Sequence, residues 1–484
     1  MIGYQIFIAA TLSILSAAAI AAEPDEIRST LNDQQSVAVT IYNSDLALVK
    51  DQRRIKLKSG MNHLALRDVS AKIRPETALL RSLSNAGSIS VLEQNFDFDL
   101  LTPQKLLEKY VSKNVGIIKT HPTTGVETIE QATVLSANNG VVIRIGNRIE
   151  TGISGRIVYD DVPANLRDRP TLVTKLNNTT TAEQTVELSY LTGGLGWKAD
   201  YVAELSPKED SIDLSGWVTL TNISGTSYNN AKLQLVAGDV NRVQDKYGLS
   251  RAKRHESQST FAAIAMAEES LLEYHLYTLD RPTTIAESQT KQVALLSASG
   301  IPARKELVML GKEEYYYGSS YGDLGQKMKV SVFIEFDNKE STKLGMPLPK
   351  GIIRVYKKDS AGNAQFVGED HIDHTPKNEK VRLKLGEAFD VTVDKKQTTF
   401  EELPNREKGS RLFESAYEIV LKNAKNEAVT VIIQEPIPGD WKILKESHSS
   451  SKATSHTAIW KIDIPAEGET TLTYRVRVSG AIQR

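Results

Sequence analysis

Three short stretches of this 484-residue chain combine residue types that could do chemistry. The first is YLTGGLGWKADYVAEL, residues 190–205, where Gly194, Gly196 and Ala199 match G-x-G-x-x-A, a form of the dinucleotide-binding fingerprint, directly after a strand-like VELSY. A dinucleotide site needs those glycines to open a helix whose N-terminus holds the pyrophosphate, followed by a parallel strand carrying an acid. Here Pro207 cuts any helix short, and Asp213, near the expected offset, falls on the polar face of an alternating strand. No cofactor is therefore expected. The glycines read as a bend or bulge with Trp197 plugging a core beneath it, or as a ligand-binding loop that Trp197 would serve.

The second stretch is GSSYG, where Gly318, Ser320 and Gly322 fit G-x-S-x-G. A nucleophile elbow needs a buried strand before the serine and a helix after it, and neither flank fits, so no catalytic residue is assigned. Its tyrosines, Tyr315, Tyr316, Tyr317 and Tyr321, read as exposed rings in a loop that could stack on sugars or meet a partner. The third stretch is GEDHIDHTP. Alternation puts Glu369, His371 and Asp373 on one side of an extended chain, a set that could hold a metal ion, although a solvated strand end would look the same.

The elements that must position these residues are strands. In SIDLSGWVTLTN, Ile212, Leu214, Val218 and Leu220 share one face, while Asp213, Ser215, Thr219 and Thr221 share the other. TLTYRVRV, VRLKL and SAYEIVL repeat the pattern, with breaks such as EPIPGDW between runs. The expected class is all-β, mainly antiparallel: β-sandwiches over several domains, a small β-barrel and a few short helices. In detail, a first β unit covers 36–100 and a barrel-like region of about five strands covers 105–157. A sandwich region follows at 170–241 and 271–398, interrupted by an exposed insertion at 244–270, and a C-terminal sandwich covers 410–480. Thr102 and Pro103 suit the start of a helix in LLTPQKLLEKYV, and Ala-rich FAAIAMAEESLL reads as a short helix. Asn139-Gly140 and Gly146-Asn147 suit hairpin turns.

Lysine plus arginine number 59 against 60 acids, so no global field attracts nucleic acid, and no nucleic-acid partner is expected. The absence of cysteine excludes thiol nucleophiles, Cys-based zinc and iron–sulfur sites, and disulfides. An apolar run from Ile6 to about Ala22, ending in small residues before Glu23, reads as a cleavable signal peptide over 1–22, although no Lys or Arg precedes it. No later segment is apolar enough to span a membrane, so a periplasmic or secreted mature chain without a transmembrane segment is expected.

The segments IYNSDLALVKD, YLTGGLGWKADYVAEL, DLSGWVTLTNISGTSYNNAKLQLVAGDVNRV, GMPLPKGIIRVYKKDSAGNAQFVGEDHIDHTPKNEKVRLKLGEAFDV and EPIPGDWKIL closely resemble the exported bacterial family called domain of unknown function 4139. Related proteins are described as mucoidy inhibitors, which carry a long coiled-coil segment before the shared region. This chain has no such heptad run. The resemblance implies an envelope location and a β-rich architecture, and supplies no catalytic residues. The expectation is a non-catalytic protein that binds an envelope protein or a surface glycan. The alternative is a hydrolase of an envelope polymer using carboxylates or the Glu369, His371 and Asp373 group.

Overall fold

The computed structural model describes residues 26–481, apart from 44, 139, 164–165, 239–240, 242–265, 317, 319–321 and 405–409. The expected signal peptide, most of the insertion, Asn139, Tyr317, Ser320 and Tyr321 lie outside the described residues. The chain divides into two compact units, one of residues 1–36 and 51–190 and one of residues 37–50 and 191–484.

Among the described residues, two sheets lie wholly within the first unit. In one, Gly60–Arg67 lies between Glu26–Ser29, parallel to it, and Thr171–Asn178, antiparallel to it, with Ile89–Asp97 beyond. Buried Arg53 ties this region together, donating to Asp51 and to the carbonyls of Ser29 and Arg67. The other sheet has the order Arg148–Thr151, Val142–Ile145, Glu127–Ser136, Asn114–Thr120, Arg156–Val158, all antiparallel.

This second sheet corrects the expected barrel, because its two edge strands do not meet. They have only four and three residues, too short to close the ring. One face is covered by the helix Pro103–Lys109, which places Leu107, with Tyr110 just beyond it, against Val115, Ile117, Val134 and Ile143. The helix starts as expected: Thr102 accepts from the Lys105 amide and Pro103 takes the first turn. Gly146 adopts a left-handed φ of 56° in the two-residue turn before Arg148.

In the second unit, thirteen strands join one hydrogen-bonded sheet among the described residues. Its first half runs Ala364–Ile372, Gly351–Lys358, Leu195–Leu205, Ser211–Asn222 and Gln289–Leu310. Its second half continues through Gly322–Asp337, Lys380–Leu403, Ser410–Asn423, Gly468–Ala481 and Asp440–Glu446. Val429–Pro436 leaves this path, pairing parallel with the end of Gln289–Leu310 and antiparallel with Thr457–Ile464. The end of Gln289–Leu310 and the second-half strands, with Val429–Pro436 and Thr457–Ile464, share one cluster of inward residues that includes Val393, Ile419, Ile433, Trp460 and Leu472. Each such side chain contributes about 1.5–3 kcal/mol by leaving water.

The Ala-rich stretch expected to be helical ends instead in a strand, Met266–Leu271, antiparallel to Tyr274–Leu279. Met266 and Glu268 are buried while Ala267 and Glu269 are exposed. Cross-strand pairing with a half-buried face overrides the helix propensity of alanine here.

Candidate functional site

Gly194, Gly196 and Ala199 open no helix. Leu195–Leu205 is a strand, antiparallel to Ser211–Asn222, so the dinucleotide geometry is absent. Gly194 makes the turn before it at φ 80°, and a Cβ there would sit 2.7 Å from the Ile223 carbonyl oxygen. Its amide donates to Asp45 Oδ1 at 2.7 Å. Trp197 points into the core at 7% exposure, on the same face as Leu195, Ala199 and Tyr201.

The opposite face of these strands is wet. On Ser211–Asn222, Asp213, Trp217 and Thr221 point outward, and Trp217 is 40% exposed. The register lines up Trp217, Asp200, Ile352 and His371 in one row across four strands. The adjacent row holds Ser215, Val202, Arg354 and Glu369. Three strand spacings separate the ends of each row, about 14 Å. Thus the strip has an indole at one end, an imidazole at the other and charge between.

Those charges are linked. Arg354 Nη1 donates to Asp200 Oδ1 at 3.1 Å, and its Nε lies 3.2 Å from Glu369 Oε2. Thr219 Oγ1 donates to Asp200 Oδ2 at 2.8 Å and itself accepts from Gln292 Nε2 at 3.1 Å. Partial burial alone would raise the Asp200 pKa. The hydrogen bonds from Thr219 and Arg354, with the charge of Lys198, outweigh it and hold the carboxyl below its ordinary value. The pair of Arg354 with half-exposed Glu369 adds little stability, so these groups can exchange partners at small cost.

The sequence-selected residues therefore separate. Glu369 and His371 share the outer strip, and Glu369 faces a guanidinium. Asp373 lies beyond the end of the Ala364–Ile372 strand. Among the described residues, no group of three or more His, Asp or Glu is arranged to hold a metal. Trp217 was not among the selected residues. Its signal is its phase: in SIDLSGWVTLTN it alternates with Ser215 and Thr219, not with the apolar set.

The tyrosines require a correction. Tyr316 is fully buried, where the polar composition around it suggested an exposed loop. Its hydroxyl donates to Glu435 Oε2 at 2.9 Å and lies 2.6 Å from the Tyr474 hydroxyl. Glu435 Oε1 accepts from Lys395 Nζ at 2.6 Å, and both side chains have 0% exposure. The ammonium sits 4.7 Å from the Tyr315 ring centre, 4.8 Å from Tyr417 and 5.5 Å from Tyr316. Burial pushes the Lys395 pKa down against the opposing pull of Glu435. It also drives the Tyr316 and Tyr474 hydroxyls well above their ordinary range. These rings serve an internal charge, because Glu435 and Lys395 face inward where an aliphatic residue would be usual.

In the first unit, a cleft of about 270 Å³ is lined by Arg28, Arg67, Arg167 and Asp168, with Leu101 and Val162. Its guanidiniums are already committed: Arg67 to Asp168, Arg167 to Glu26 and Asp97, Arg28 to Glu26. No helix among the described residues is long and apolar enough to cross a membrane. A family model described as a domain of unknown function (DUF4139) matches residues 186–480. Comparison with curated proteins finds no match.

Proposed function

The chain belongs to the DUF4139 family, and from that premise we propose that it is an exported, non-catalytic cell-envelope protein that binds a surface glycan on the outer strip of its second unit. The observation that carries this reading is the exposed indole of Trp217 in register with Asp200 and His371, beside Arg354 and Glu369. A pyranose offers one apolar C–H face and a rim of hydroxyls. An exposed indole takes the face, while carboxylates, a guanidinium and an imidazole accept from and donate to the rim. A strip of about 14 Å accommodates a short oligosaccharide. Rigid strands hold these groups without ordering a loop, which reduces the entropy lost on binding.

The test is titration of the purified protein with oligosaccharides prepared from bacterial envelope polymers, followed by tryptophan fluorescence and calorimetry. Trp217→Ala should weaken binding at least tenfold while leaving the melting temperature nearly unchanged. Binding that survives this change places the ligand elsewhere. Release of shortened sugars during the titration would instead support hydrolysis of an envelope polymer. Export is tested separately, by sequencing the mature N-terminus from a periplasmic extract.

A further inference from the structure

We propose that Lys395 and Glu435 condense into a side-chain amide, a cross-link that the folded protein makes within its own core. The two side chains meet at 2.6 Å with 0% exposure, so no bulk water competes for either reacting group. Lys380–Leu403 pairs with Gly322–Asp337 and Ser410–Asn423, whereas Val429–Pro436 pairs with Gln289–Leu310 and Thr457–Ile464. The link therefore joins two strands that share no backbone hydrogen bonds. Disulfides are closed to a chain without cysteine, and an amide needs no oxidant.

The surroundings supply what the condensation requires. The step begins with transfer of one proton from Lys395 Nζ to Glu435 Oε1, along the 2.6 Å hydrogen bond between them, which makes an amine and a carboxylic acid of the pair. The Nζ lone pair then adds to Cδ, and negative charge develops on Oε2. Tyr316 already donates to Oε2 at 2.9 Å and is itself within 2.6 Å of the Tyr474 hydroxyl, so a supported donor faces the developing oxyanion. The Nζ–Cδ bond forms and the Cδ–Oε1 bond breaks. Oε1 leaves as water, carrying the acid proton and one amine proton, and nothing is oxidised or reduced. Holding the reactants in contact replaces a bimolecular encounter by an intramolecular one. Gly311 leaves room for the acid, since a Cβ there would lie 2.2 Å from Glu435 Oε2.

Tryptic mapping of the purified, folded, full-length protein by mass spectrometry tests this. The expected product is a branched peptide joining the segment around Lys395 to the segment around Glu435. It should be lighter than the two together by one water, with no cleavage after Lys395. Lys395→Arg and Glu435→Ala should each give linear peptides only, and Tyr316→Phe should lower the branched fraction. Where a variant fails to fold, the wild-type map still decides. Two linear wild-type peptides, with ordinary cleavage after Lys395, would overturn the proposal and leave a buried ion pair. A branch through any other residue pair would overturn it equally.

Discussion

The second unit builds nearly the same set of groups twice, once dry and once wet. Inside, Lys395 and Glu435 meet among Tyr315, Tyr316 and Tyr417 with no exposure. Outside, Arg354 meets Asp200 and Glu369 in the strip that carries Trp217, where solvent reaches Arg354 and Glu369 and Asp200 is largely covered. The ingredients are a cation, a carboxylate and aromatic rings in both places. What differs is the medium. In the core, losing one partner strands a charge that cannot be hydrated, whereas on the strip water takes the vacant place. The inner set is thus committed to its own partners, and the outer set is available to others.

The largest expected effect breaks the inner set. Glu435→Ala should cost about 3–5 kcal/mol in chemical denaturation, because Lys395 keeps its burial and loses its counter-charge. The double change Lys395→Met with Glu435→Met sharpens the point: a mere ion pair predicts a stability near wild type, while a lost cross-link predicts a clear drop. Trp197→Ala should cost roughly 3–5 kcal/mol by leaving a cavity, read as a lower melting temperature without a binding-specific defect. Gly194→Ala should cost about 1–3 kcal/mol, since it adds both backbone strain at φ 80° and a clash with Ile223. Trp217→Ala should change stability by no more than about 0.5 kcal/mol.

The smallest effect is a pH response of the strip. The folded Asp200 carboxyl is depressed, so its contribution is present above the unfolded value of about 3.9 and is lost as pH falls through the folded value. Wild-type stability should therefore carry an acid limb below about pH 4 that Asp200→Asn reduces. Identical acid limbs in the two proteins would show that the Asp200 hydrogen bonds add nothing.

Much of this was legible in alternation alone. Ile212, Leu214, Val218 and Leu220 face inward as read, and Thr102 with Pro103 starts a helix where expected. Closure of a sheet leaves no periodic trace, which is why the region from 105 to 157 read as a barrel and folds as an open sheet. The burial of Tyr316 was hidden because its partner Glu435 lies 119 residues away. A trace of it existed in phase: Lys395 follows Val391 and Val393, and Glu435 follows Val431 and Ile433, each a charge at an inward position. Trp217 carried the converse trace, an indole at an outward position. Residues whose polarity contradicts their phase were thus the informative ones, and a search for recognised motifs passes over them.

The length of Gln289–Leu310 has a mechanical meaning. Its first part pairs with Ser211–Asn222, through two bulges, and its last part with Gly322–Asp337 and Val429–Pro436, within one 22-residue strand. The sheet edge that presents the outer strip and the core that encloses Lys395 are thereby spliced on a common rail. Tension applied at one end is carried along the backbone to the other. In pulling experiments these two regions should yield in a single rip, because neither can peel away without unzipping the strand they share.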